Sequence, residues 1–366
     1  MIPYENLKKL NEPFEQAFTA RFQNLLQSGW YILGNEVKQF EEAFAQWHQV
    51  PFVVGVANGL DALVLSLKAC NFPENAEVIV PSNTYVASIL AIIQAGLKPV
   101  LVEPNIQSYN IDPALIEQSI TTNTKAIMVV HLYGKCCNMQ PIMALCEQYQ
   151  LKLIEDCAQA HGATYKNQLA GTFGNFAAFS FYPTKNLGAL GDAGAIICKT
   201  EQDYQLLKQL RNYGSSVKYH NEVVGFNSRL DEIQATFLSV KLPYLNEINA
   251  HKRAIAQLYN SNLNRSKYIL PDISQTSMYF DVYHIYNVRT KKRDALKAHL
   301  LAHNIQTEIH YPIPPHQQNA LKSLFQNQSF PIAEIIHQTT LSLPCSFAHS
   351  LNEIETVIEV MNAFDE

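Results

Sequence analysis

Three short polar clusters, each closing an apolar run, carry the residue types that chemistry needs. The first is Asn58-Gly59-Leu60-Asp61-Ala62, just after the run 52–56. Five apolar residues in a row read as a buried strand, and the turn behind them opens a helix. Free backbone N–H groups and the helix dipole at such a turn attract a phosphate, and Gly59 lets the backbone come close. The same residues also suit an ordinary strand–helix turn with Asn58 as N-cap. The second cluster is Glu155-Asp156-Cys157-Ala158-Gln159-Ala160-His161-Gly162, at the end of the run 151–156. A carboxylate at a buried strand end needs a cation or several donors. A protonated ring nitrogen of a bound cofactor would serve, as would a capped strand end or a metal ion. The third is Ser180-Phe181-Tyr182-Pro183-Thr184-Lys185-Asn186-Leu187-Gly188. Ser180 ends a strand, Pro183 stops it, and Lys185 sits in a tight loop. The hydroxyl suits a phosphate. A lysine in a low-dielectric pocket has a depressed pKa and attacks aldehydes, whereas a solvent-exposed loop lysine does neither.

One cofactor satisfies all three clusters at once: a phosphate, a ring nitrogen to be held protonated, and an aldehyde for an amine. That is pyridoxal 5′-phosphate (PLP). A ring also needs a stacking partner, and Tyr85, just after the second strand, is placed for it. Other site chemistries find no motif. G-x-G-x-x-G is absent, which disfavours a nicotinamide dehydrogenase, and so are G-x-x-x-x-G-K-[ST], G-x-S-x-G and H-E-x-x-H. Cys136, Cys137 and Cys146 match no zinc spacing, so no metal is expected.

The elements that must position these residues alternate strand and helix. Strands are expected over 52–56, 77–80, 99–103, 125–131, 151–156, 176–181 and 195–199. Helices are expected over 58–69, 84–95, 113–120 and 141–150, with Asp112 capping the third and Pro113 opening it. Alternation of this kind gives an α/β fold with a mostly parallel sheet covered on both faces, and such sheets bind ligands beyond the carboxyl ends of their strands. Beyond 230 the pattern changes to helices over 230–242 and 244–259, a strand over 284–290 and a helix over 293–303. A large cofactor-binding domain over 1–245 and a smaller α+β domain over 246–366 follow.

Composition bounds the rest. The 366 residues carry 27 Lys+Arg against 32 Asp+Glu, a net charge of −5, and 47% are apolar. Disorder is excluded, and no strongly basic patch suggests a nucleic-acid partner. The longest nearly apolar stretch, 86–95, is about half of the ~20 residues a membrane span needs. The N-terminus shows no apolar leader, and seven cysteines are scattered from Cys70 to Cys345. A cytoplasmic, reduced protein with no membrane partner is expected.

Longer runs carry a resemblance. The runs from Asp156 to Gly162 and from Ser180 to Gly188, Gly191-Asp192-Ala193-Gly194, and the run from Gly225 through Asn227-Ser228-Arg229-Leu230-Asp231-Glu232 to Ala235 are similar to the DegT-type family of sugar-nucleotide aminotransferases. The likeness extends from Gly34-Asn35-Glu36-Val37 to His310-Tyr311-Pro312. It implies a PLP enzyme of aspartate-aminotransferase-like fold. Lys185 would form the Schiff base, Asp156 would bind the pyridine nitrogen, and Gln159 would lie near the ring. Gly59 and Leu60 would offer N–H groups to the phosphate, Ser180 its hydroxyl, and Tyr85 would stack on the ring. Asn227 would reach the phosphate of a partner subunit, so the expected assembly is a homodimer with shared active sites. Where relatives carry Ser-Gly-Thr, this chain has Asn58-Gly59-Leu60, which removes a hydroxyl but keeps the backbone donors.

The Phe-Tyr-Pro-x-Lys-Asn-Leu-Gly form resembles the 3-aminotransferases of dTDP-3-keto-6-deoxyhexoses, whereas enzymes aminating C4 more often have Ser-Phe-His before the lysine. The expected reaction takes an amino group from L-glutamate and places it on a dTDP-linked keto sugar. Related dehydratases have histidine where this chain has Lys185. Tyr182, His310 and Tyr311 are candidates for the sugar, and Lys218 for a phosphate. Two alternatives stand beside this reading: amination at C4, and a non-catalytic binding or regulatory protein of the same fold.

Overall fold

The computed structural model describes residues 1–273 and 277–365. Three helices open the chain: α1 (Leu7–Asn11), α2 (Glu15–Ser28) and α3 (Asn35–His48). Strand and helix then alternate through β1 (Phe52–Val56), α4 (Gly59–Ala69), β2 (Glu77–Pro81), α5 (Val86–Gln94), β3 (Lys98–Val102), β4 (Thr124–Val130), α6 (Met139–Gln148) and β5 (Lys152–Asp156). A small hairpin, β6 (Thr164–Tyr165) and β7 (Gln168–Leu169), precedes β8 (Phe176–Ser180), β9 (Gly194–Cys198) and α7 (Glu201–Leu210). A second hairpin, β10 (Ser215–Val217) and β11 (His220–Asn221), leads to α8 (Glu232–Lys241) and α9 (Leu245–Asn262). The chain closes with β12 (Tyr279–Phe280), β13 (Tyr286–Arg289), α10 (Arg293–Ala302), α11 (Pro331–Thr339), β14 (Thr340–Leu343) and α12 (Leu351–Ala363).

Seven strands form one sheet in the order β1-β9-β8-β5-β4-β2-β3. The pairs β3/β2, β2/β4, β4/β5 and β5/β8 are parallel, and β9 alone runs antiparallel, between β8 and β1. The carboxyl ends of six strands therefore share one edge with the amino end of β9. Successive residues bury opposite ways. Val53, Ile127, Ala177 and Ile197 face one apolar cluster, while Val54, Met128, Ala178 and Ile196 face another. Burial on both faces is why these strands read as unbroken apolar runs.

A separate cluster lies in the C-terminal part, where Ile255, Tyr259, Tyr286, Val288, Leu296, Leu341, Ile354 and Val357 pack together and Ile2 joins them. Here β13 pairs with β14 antiparallel, and Ile2 bridges Ile305. Leu321, Phe325, Phe330 and Ala333 turn back to pack on the sheet. No helix among the described residues is long and apolar enough to cross a membrane.

One expected element differs. Over 113–120 the chain forms two three-residue turns, Pro113–Leu115 and Glu117–Ser119, instead of a helix. Asp112 does cap the first, accepting from Ala114 N at 3.0 Å. The segment fails to continue because Ile116 is the one residue between 113 and 120 that is fully buried. A single apolar anchor does not stabilise a helix of this length.

Candidate active site

The sheet register assembles the site. Asp156 ends β5 beside Val130 and Ala178, and Ser180 ends β8 beside Gly194, which also pairs with Val56. Asn58 caps α4, its Oδ1 accepting from Asp61 N at 2.8 Å and its carbonyl from Ala62 N at 3.1 Å. That leaves the N–H groups of Gly59 and Leu60 as the free donors of this helix end. A Cβ on Gly59 would lie 2.5 Å from Ser180 Cβ, and one on Gly194 would lie 2.4 Å from Asn58 O. The two glycines thus bring helix start, strand end and the Ser180 hydroxyl into one compact cradle.

Asp156 is buried, and burial pushes its carboxyl up from the ordinary range. The Ser88 hydroxyl, Ala158 N–H and the charge of Lys185 act the other way. Ser88 Oγ donates to Oδ2 at 2.7 Å, and Ala158 N donates to Oδ1 at 3.1 Å. Thr84 in turn meets Ser88 at 2.8 Å. The preceding residue points away from the site. Glu155 accepts from Gly171 N, Phe173 N and Gly174 N at 2.8, 2.8 and 2.6 Å, and meets His131 Nε2 at 3.0 Å. Since Cys137 N donates to His131 Nδ1, the ring carries its proton on Nε2 and donates to Glu155. Among the described residues His131, Glu155 and Cys157 are the one group spaced like metal ligands, but the carboxylate is already filled with donors. The acidic pair therefore divides: Asp156 serves the site and Glu155 fixes the 171–174 loop.

Lys185 projects from a loop pinned on both sides. Its own N–H donates to Tyr182 O, Asn186 Nδ2 donates to Asn249 Oδ1 and Val282 O, and Lys241 Nζ donates to Gly188 O at 2.8 Å. Burial lowers the Lys185 ammonium to about 8, with Asp156 pulling the other way. Its Nζ lies 3.4 Å from His284 Nε2.

Gln159 is held between two partners: Tyr133 N donates to its Oε1 at 2.7 Å, and its Nε2 donates to Tyr311 OH at 2.9 Å. Tyr85, half exposed at the start of α5, lies with its ring 5.0 Å from that of Tyr311. The His310 carbonyl accepts from Tyr133 OH, and its ring Nδ1 lies 2.9 Å from Ser342 Oγ. Burial lowers His310 to about 4, so its ring is neutral near pH 7.

The structure thus gathers Gly59, Leu60, Ser180, Asp156, Gln159, Tyr85, Lys185, His310 and Tyr311 around one edge. Tyr182 is exposed beside them. Lys218 is not gathered: it sits at the tip of the β10–β11 hairpin with its amine over the neighbouring Tyr219 ring. Asn227 is exposed, next to Ser228, whose hydroxyl accepts from Ala57 N at 3.3 Å. Sequence reasoning missed His284 and Ser88. Ser88 was findable, since it lies three residues beyond Tyr85 and so on the same helical face. No local signal marks His284.

This donor set fits PLP at three points. Free N–H groups and a hydroxyl meet a phosphate, an amine of lowered pKa meets an aldehyde, and a buried carboxylate meets a ring nitrogen.

Comparison with known proteins adds independent findings. Residues 13–362 match the family model of the DegT/DnrJ/EryC1/StrS aminotransferase family. The dTDP-3-amino-3,6-dideoxy-alpha-D-galactopyranose transaminase of Aneurinibacillus thermoaerophilus is 50% identical over 364 residues, covering 100% of this chain and 99% of the relative. The structure of Streptomyces venezuelae DesV in complex with a ketimine intermediate superposes with a TM-score of 0.95 at 40% identity, covering 99% and 97% of the two chains. That of NtdA from Bacillus subtilis with bound cofactor PMP superposes at 0.91 with 28% identity, over 98% of this chain and 84% of that one.

Proposed function

The chain belongs to the DegT/DnrJ/EryC1/StrS aminotransferase family, and we propose that it aminates C3 of a dTDP-3-keto-6-deoxyhexose with glutamate as donor. It is a PLP-dependent aminotransferase. When bound, PLP supplies an aldehyde carbon that bonds amines and a ring that accepts the electron pair left when a proton departs.

The protein binds, orients and moves one proton. The Gly59 and Leu60 N–H groups and the Ser180 hydroxyl would hold the phosphate and so fix where the ring lies. Asp156, whose charged form the Ser88 and Ala158 donors favour against its burial, would hold the ring-nitrogen proton; opposite charge favours both charged forms. Tyr85 would stack on the ring, and Gln159 would lie near it, both beside Tyr311. Lys185, once its amine is free, is a base near neutral pH because its pKa is brought to about 8, and it would carry the proton between the two carbons that flank the shared nitrogen. One amine serving donor and acceptor in turn predicts ping-pong kinetics.

The substrate reading rests on the 50% identical relative, whose own name specifies the 3-amino-3,6-dideoxygalactose product. The galacto keto sugar is the one to expect. Tyr182, His310 and Tyr311 line the sugar side. Lys218 and Asn227, both exposed, are assigned to the site of a second copy in a homodimer. Exposed Trp30, Tyr31, Ile32, Tyr213, Val224 and Phe226 support such an interface. Seven free thiols, six of them buried, support a reducing, cytoplasmic setting.

The observation that carries the reading is the Lys185 amine on the loop after β8, close enough to Asp156 at the end of β5 for their charges to interact. The test is incubation with glutamate and dTDP-3-keto-6-deoxygalactose or the gluco epimer, with product mass and NMR position of nitrogen. Amination at C3, faster with the galacto sugar, is expected. No turnover of either sugar, or nitrogen at C4, overturns it.

A further inference from the structure

The second half of the chain delivers one more group to the reacting lysine. His284 lies on the bend that leads into β13, just after Tyr283 with its left-handed backbone, and its Nε2 is 3.4 Å from Lys185 Nζ. The segment is strapped in place at several points. Val282 N donates to Gly134 O at 2.9 Å, and the Val282 carbonyl accepts from Asn186 Nδ2 at 3.0 Å, one residue from Lys185. Ile285 N donates to Tyr133 O, the residue whose own N–H holds Gln159. A Cβ on Gly134 would lie 2.8 Å from His284 N, so the contact admits glycine only. The imidazole Nδ1 is buried without a hydrogen-bond partner among the described residues. The ring is therefore held for what its other nitrogen faces.

We propose that His284 is a positioning residue for Lys185: its Nε2 accepts a hydrogen bond from the lysine whenever that amine is not bonded to cofactor. An ammonium has three N–H groups and no lone pair, so the imidazole must be the acceptor. The groups around Lys185 allow this. Asp156 faces it from β5, His161 from the loop behind β5, and His310 from the segment before Tyr311. Lys252 of α9, with Lys185, His310 and His161, faces His284. Burial and the charges of Lys185 and Lys252 keep the imidazole neutral and its lone pair available. The bond points the free amine along a fixed line while it must act as a base, in either half of the cycle, and returns it to the same place for rebonding. This inference rests on Lys185 being the amine that bonds PLP.

The test follows Lys185 in the full-length, cofactor-free protein. Pyridoxal labelling, trapped with borohydride and read by peptide mass spectrometry, is measured against pH; its rate tracks the neutral amine. A hydrogen bond to the charged form raises its pKa. His284→Leu is therefore expected to move the midpoint down by about one pH unit, and His284→Gln, which keeps an acceptor at similar reach, to hold it within about 0.3 unit. A merely structural role would admit water and move the midpoint up toward the ordinary lysine value. An upward or unchanged midpoint in His284→Leu overturns the proposal. Should that variant misfold, His284→Phe keeps the ring volume and gives the same comparison. Lack of label on Lys185 in the unaltered protein overturns the cofactor reading itself and this proposal with it.

Discussion

In the proposed reaction Asp156 must carry a charge that its burial opposes. The Ser88 hydroxyl supplies part of the compensation. Removing it in Ser88→Ala raises the Asp156 pKa further, so the acid limb of the pH–rate profile should move to higher pH while the alkaline limb stays. An unmoved acid limb would show that Ser88 does not tune the carboxylate. Lys185 carries the opposite tension. Its pKa is about 8 in the fold against 10.5 unperturbed. Between those values the unfolded chain binds more protons, so the stability of the cofactor-free protein rises with pH from about 8 to about 10.5. Below pH 8 the buried ammonium destabilises in full. Lys185→Met should therefore raise the melting temperature of the cofactor-free protein by about 2–4 °C at pH 7, with the gain fading across that window. At this scale the sequence made Asp156, Ser180 and Lys185 legible, because each ends or follows an apolar strand. His284 stayed hidden because it reaches Lys185 from 99 residues away, and only tertiary packing brings them together.

Among elements, the start of α4 and the end of β8 meet where a side chain has no room. Gly59→Ala places a methyl 2.5 Å from Ser180 Cβ. The cradle must open, and the dissociation constant for PLP should rise at least ~10-fold, about 1.4 kcal/mol, by equilibrium titration. Unchanged affinity would mean the phosphate lies elsewhere. A different element end is capped from afar: Glu232 of α8, fully buried, accepts from Gly34 N, Glu36 N and Val37 N at 2.7, 2.9 and 3.1 Å. Glu232→Ala strands three donors at the start of α3 and should lower unfolding stability by about 2–4 kcal/mol, measured by denaturant titration. The sheet strands were readable because both faces are buried. The turns over 113–120 were not, since a good cap at Asp112 says nothing about whether apolar anchors continue. The opening helices were likewise faint: α2 buries only Phe18 and Leu25 over fourteen residues.

For the whole molecule, the sheet edge explains why distant runs belong to one site: six parallel strands and the reversed β9 deliver their polar ends to a single line. That architecture follows from strand–helix alternation, which is why the fold class was legible before any site residue was placed. Lys218 and Asn227 stayed open on one chain: both are exposed, and Lys218 sits at a hairpin tip with its amine over Tyr219. In the homodimer reading, an inactive Lys185→Ala chain mixed with an Asn227→Ala chain should regain activity in mixed dimers, since one site then has both native residues. No recovery after subunit exchange would remove the shared-site reading and leave the aminotransferase chemistry standing. The chemistry itself is tested most directly by borohydride reduction of the PLP-loaded protein, followed by peptide mass mapping. The account predicts that the pyridoxyl phosphate is found on Lys185 and is absent from Lys185→Ala; label on another lysine, or none, would contradict it.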